Sequence, residues 1–102
     1  MAYILKIKDK TGRIIHLSKE RYKHIAKHPS MQEPIENIKS TIENPTTIRY
    51  NDDDESVNYF YKEFKERDSS ERYLLVSVKY LNGEGFIITS FFTNKIMGLK
   101  LV

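Results

Sequence analysis

Cysteine is absent from this 102-residue chain. That excludes disulfides and thiolate metal sites, and it suits a reducing compartment. A run of about 18 apolar residues, long enough for a membrane-spanning helix, is also missing. The opening Met1-Ala2-Tyr3-Ile4-Leu5-Lys6 has no basic lead followed by a long apolar stretch, so no secretory signal is expected and the expected location is the cytoplasm. No internal repeat, linker or low-complexity segment interrupts the chain. What remains fits a single domain, 1–102, with 39% apolar and 30% charged residues. The net charge of +3 and a sequence pI of about 9.1 favour a polyanionic partner.

Residues 3–8 and 13–17 read as two strands joined by the turn signal Asp9-Lys10-Thr11-Gly12, a hairpin. Ser18 then precedes a helical pattern and is a good N-cap, because its hydroxyl accepts a bond from a free amide of the first turn. This helix should run to about His28, since Pro29 disfavours helical geometry in the residue before it. Pro34 suits the first position of a second helix, in which Ile35, Ile38 and Ile42 form one apolar stripe, and Asn44-Pro45 stops it. Strands are predicted over 46–50, 57–65, 72–80 and 86–93, the last three rich in aromatic and β-branched residues. The order ββααββββ implies an α+β fold: a mostly antiparallel twisted sheet with both helices on one face.

The first helix carries the residues best suited to chemistry. At about 100° per residue, Tyr22, Ile25 and Ala26 cluster toward the core, and Arg21, His24 and His28 form a second stripe beside them. Two imidazoles and a guanidinium thus border core and solvent. Histidine both takes and gives a proton near neutral pH. RNA cleavage needs a base for the ribose 2′-hydroxyl, an acid for the leaving 5′-oxygen, and a cation for the phosphate, which the arginine fork suits. The plain alternative is a solvated helix face, with His28 favoured only by the helix dipole. The spacing of His24 and His28 also matches the helical zinc motif His-Glu-x-x-His. Ile25 stands where the catalytic Glu belongs, and nothing places His16 or Asp52-Asp53-Asp54 nearby as a third ligand, so neither metal nor cofactor is expected.

Alternation divides the last strands into two faces. If Val78 pairs with Ile88, then Leu74, Val76, Val78, Ile88 and Phe92 share one face; Tyr73, Ser77, Lys79, Thr89 and Thr93 share the other with Leu75, Ile87 and Phe91. In the preceding strand Val57, Tyr59 and Tyr61 alternate with Phe60, Lys62 and Phe64. A face carrying Tyr, Ser, Lys and Thr on adjacent strands can hold a phosphate and stack a base, which makes Tyr59, Tyr61 and Ser77 the substrate-binding candidates. The alternative is an ordinary half-exposed sheet face, where Thr and Tyr are common.

The segment Leu17-Ser18-Lys19-Glu20-Arg21-Tyr22-Lys23-His24-Ile25-Ala26-Lys27-His28-Pro29 resembles a motif of the phage-associated barnase–EndoU–colicin–RelE-like nucleases. So do the stretch closing on Ile42-Glu43-Asn44-Pro45, the central Tyr59-Phe60-Tyr61-Lys62, and Gly85-Phe86-Ile87-Ile88-Thr89-Ser90-Phe91-Phe92-Thr93, and together they extend the resemblance over nearly the whole chain. It implies a helix-plus-antiparallel-sheet fold and metal-independent RNA cleavage, often by toxins or phage-linked domains. By position it points to Arg21, His24 and His28 on the helix and to Tyr61, Lys79 and Thr89 on the sheet.

Three functions fit. The first is a toxin-like endoribonuclease: His24 and His28 divide the acid and base roles, Arg21 and Lys79 hold the phosphate, Thr89 orients it and Tyr61 stacks a base. RNA would be its substrate and a cognate antitoxin its protein partner, with no membrane partner. The second is a non-catalytic RNA- or DNA-binding module using the same residues. The third is a protein-interaction domain built on the aromatic strands and the acidic turn 51–56.

Overall fold

The computed structural model describes residues 3–101 and the side chains of 3–98. The chain runs β1 (Tyr3–Lys8), β2 (Ile14–Ser18), α1 (Lys19–Ala26), α2 (Pro34–Glu43), β3 (Thr47–Tyr50), β4 (Val57–Glu63), β5 (Tyr73–Leu81) and β6 (Glu84–Thr93). That is the ββααββββ order read from the sequence, extended by a short β7 (Leu99–Leu101). The strands form one sheet ordered β1-β2-β6-β5-β4-β3-β7. Every pairing is antiparallel except β2 with β6.

Both helices lie on one face. Ile25 of α1 and Ile38 and Ile42 of α2 join a core with Ile15, Leu17, Leu74, Val76 and Val78 of the strands. Ser18 caps α1, its hydroxyl accepting the Arg21 N–H at 3.2 Å. The helix ends at Ala26 rather than near His28, so His28 sits just beyond it, its N–H donating to the Ile25 carbonyl. Pro34 opens α2, as its fixed φ allows.

The parallel pairing is short. It covers only Ile15 with Gly85 and His16 with Phe86, after which β2 turns into α1. From Ile87 onward β6 therefore has a strand on one side only among the described residues, and α1 packs beside this free half. Gly85 makes the approach possible, because a Cβ there would lie 2.8 Å from Ile15 Cγ1 and 2.9 Å from Val78 Cγ1.

The register of β5 on β6 departs from the simple alternation. Ser77 pairs with Thr89, but Val78 pairs with Ile87, leaving Ile88 as an extra residue in a bulge. Ile87, not Ile88, is thus the buried core residue. Toward the C-terminal half of β6 the original alternation holds, with Leu74 opposite Phe92.

The face away from the helices carries two cross-strand rows: His16–Phe86–Lys79–Val57 and Thr89–Ser77–Tyr59–Arg49. The link from β6 to β7 must cross this face, since β7 pairs with β3 at the far side of the sheet. In crossing, Met97 donates its N–H to the Tyr61 hydroxyl at 3.0 Å. Gly98 lies against the sheet at φ +94°, where a Cβ would overlap the Tyr50 carbonyl and come within 3.0 Å of Tyr59.

The β1–β2 turn is tied down by Asp9. Its Oδ1 accepts from the Thr11 N–H, the Thr11 hydroxyl and the Arg13 N–H, and its Oδ2 accepts from the Tyr80 hydroxyl at 2.8 Å. Arg13 covers the Tyr80 ring at 3.8 Å. Burial alone would raise the Asp9 carboxyl, but these hydrogen bonds outweigh it and hold the group below its ordinary value of 3.8. Burial and the bond to Asp9 push the Tyr80 phenol up.

Gly98→Ala should destabilise by at least ~2 kcal/mol in urea unfolding, since strain at positive φ and steric overlap combine. Gly12→Ala, at φ +88° with open space around it, should cost only about 1 kcal/mol. For Asp9, a carboxyl lowered by folding adds stability above its unfolded value, and that contribution is lost as pH falls through the lower folded value. Asp9→Asn should therefore be ~1–3 kcal/mol less stable near neutral pH. Its melting temperature should also fall less steeply than wild type as the pH drops below 3.8.

Candidate functional site

The sequence placed its chemistry on one side of α1, and that side faces the free half of β6. The Arg21 guanidinium donates from Nη1 to the carbonyl of Ile88, the bulge residue, at 3.2 Å. This bond ties the arginine to the bulge and holds it over the gap between helix and sheet.

Two clefts adjoin there and share Arg21 and Ile88. The first, of about 410 Å³, is lined by Arg21, His24, His28, Thr89 and Phe91 among others. It brings together four of the residues singled out in the sequence: Arg21, His24, His28 and Thr89. Both imidazoles are exposed. The Ser30 N–H donates to His28 Nδ1 at 3.3 Å, and the Ser30 hydroxyl lies 2.7 Å from the same nitrogen. An amide hydrogen bond requires a lone pair on Nδ1, so in the neutral ring Nε2 bears the proton.

The second cleft, of about 450 Å³, is lined by Tyr3, His16, Ser18, Arg21, Lys79 and Phe86 among others. Lys79 thus lies on the other side of Arg21 from the two histidines. Its ammonium is 2.6 Å from Asp54 Oδ2. Lys79 and the Ser56 hydrogen bonds draw the Asp54 carboxyl down to about 2, so the pair persists across the neutral range.

His16 was read from the sequence only as a remote metal ligand, yet it forms the wall of this cleft. It is 7% exposed, with Nε2 held 2.7 Å from Glu84 Oε1 and a buried Nδ1 that has no hydrogen-bond partner. Its ring stacks on Phe86 at 5.2 Å and contacts Tyr3 at 4.7 Å. The strand pattern Ile15-His16-Leu17 does turn His16 away from the core. Its neighbours on β6, however, come from a parallel pairing that leaves no local mark in the sequence.

The tyrosines predicted to stack a base are placed elsewhere. Tyr61 is 1% exposed, with its hydroxyl taken by Met97, and burial pushes its phenol up. Tyr59 accepts a bond from the Asn51 side chain and packs near Gly98. Ser77 is buried between these strands. The β6–β7 crossing covers this part of the sheet: Tyr61 and Ser77 are closed to a base, and the half-buried Tyr59 lines a separate small cleft with Asn51, Asp52, Met97 and Gly98, away from Arg21 and the histidines. Among the described residues no group of three His, Asp or Glu side chains is arranged to hold a metal ion.

No curated protein and no solved structure matches the chain. A family model does match residues 5–100, nearly the full length; it describes the phage-Barnase-EndoU-ColicinE5/D-RelE like nuclease2 family. The α+β architecture and this match over almost the whole domain lead to one identification: the chain belongs to that family of nucleases.

Proposed function

We propose that this nuclease is a metal-independent endoribonuclease, with its reaction centred on the cleft between α1 and the free half of β6. The observation that carries the reading is the convergence of Arg21, His24, His28 and Thr89 on that one cleft. One imidazole removes the proton from the ribose 2′-hydroxyl. The 2′-oxygen attacks phosphorus, the bond to the 5′-oxygen breaks, and the other imidazole, protonated, gives its proton to that oxygen. The products are a 2′,3′-cyclic phosphate and a 5′-hydroxyl, with no net change of protons. Arg21 clamps the phosphate oxygens, and the Thr89 hydroxyl orients them. Lys79 supplies a second cation across Arg21, in competition with Asp54. Acting on cellular RNA in the cytoplasm, such an activity is toxin-like, and the protein partner it calls for is a cognate antitoxin.

Total RNA incubated with the protein in excess EDTA tests this directly. Wild type should yield discrete fragments with cyclic phosphate ends, and His24→Ala and His28→Ala should each cut ~100- to 10,000-fold more slowly. Wild-type cutting by His24→Ala would remove that residue from the mechanism. Salt-sensitive binding without product, with or without divalent metal, would instead indicate a non-catalytic RNA- or DNA-binding module.

Asp54→Asn should free Lys79 for phosphate. Affinity for RNA should rise several-fold at low salt, and the slope of log affinity against log salt should steepen by about one. An unchanged slope would show that Lys79 touches no phosphate.

A further inference from the structure

The two clefts flank a single arginine, and each exposes one large aromatic side chain. Tyr3 and Phe91 are each 39% exposed, among the few large apolar side chains left open to solvent. Tyr3 lines the Lys79 side of Arg21 and Phe91 lines the histidine side. One face of Tyr3 is backed by His16 and Phe86, which hold the ring in place and leave its remaining surface to the cleft. Exposed aromatic rings on both sides of a fixed cation match a chain of alternating phosphates and flat bases.

We propose that the two clefts form one continuous path for single-stranded RNA. The phosphate sits at Arg21, the base on one side of it stacks on Tyr3, and the base on the other side stacks on Phe91. This rests on the nuclease reading and adds to it the strandedness of the substrate and the residues that hold its bases. Bases already paired in a duplex cannot splay onto two separate rings, so a duplex is a poor ligand for this path.

The test uses a fluorescein-labelled 2′-O-methyl RNA, whose blocked 2′-oxygen cannot attack, with binding read by fluorescence anisotropy. Tyr3→Ala and Phe91→Ala should each weaken binding about tenfold or more, while Tyr3→Phe and Phe91→Tyr stay within about twofold of wild type. A fully paired duplex of the same sequence should bind at least about tenfold more weakly than the single strand. Binding by either alanine variant within about twofold of wild type, or equal affinity for duplex and single strand, would overturn the path. The two readings fail separately. Binding that depends on Tyr3 and Phe91, with no cutting of unmodified RNA in EDTA, keeps the path and refutes the nuclease mechanism. Cutting by wild type with undiminished binding by both alanine variants does the reverse.

Discussion

β6 has a strand on both sides for only part of its length. β2 runs parallel to it for two residue pairs and then leaves the sheet through the Ser18 cap into α1. An open strand edge inside a domain carries amides and carbonyls that need partners. Here the edge is met by a helix, and the Arg21 side chain reaches the Ile88 carbonyl. That bond holds a cation over the seam between helix and sheet, and both clefts are defined by it. A longer β2–β6 ladder would have closed the seam and left Arg21 in open solvent.

Two further irregularities determine which residues reach the surface beside this seam. The bulge at Ile88 turns Ile87 into the core and keeps Lys79, Phe86 and His16 in one row on the opposite face. The crossing from β6 to β7 covers the other end of that face, seats Gly98 against β3 and β4, and closes off Tyr61 and Ser77. The sheet face is therefore divided. The end near α1 is open and edged with aromatic rings around Arg21, whereas beneath the crossing Tyr61 and Ser77 are buried.

The legible features were the local ones. Ser18 as a cap, Pro34 as a helix start and the apolar periodicity of Ile38 and Ile42 are written within a few residues of where they act. So was the stripe of Arg21, His24 and His28, which survives although the helix stops at Ala26, because a turn carries His28 on in the same direction. What escaped the sequence depends on partners far apart in the chain. His16 meets Glu84 across 68 residues, and Met97 meets Tyr61 across 36. Alternation assigns a face to each of these residues but cannot say what lies on it. A single bulge was enough to exchange Ile87 and Ile88.

In the proposed reaction, Arg21 joins helix and sheet edge into one phosphate site. The most direct measurement is the rate of RNA cutting in excess EDTA by Arg21→Ala, with thermal unfolding as the check on the fold. Arg21 is exposed and its bond to Ile88 is a single one, so the melting temperature should stay within a few degrees of wild type. The cutting rate should fall by ~100-fold or more, and Arg21→Lys should restore only part of it, because an ammonium lacks the planar fork. A folded Arg21→Ala variant that cuts RNA at the wild-type rate would contradict the account.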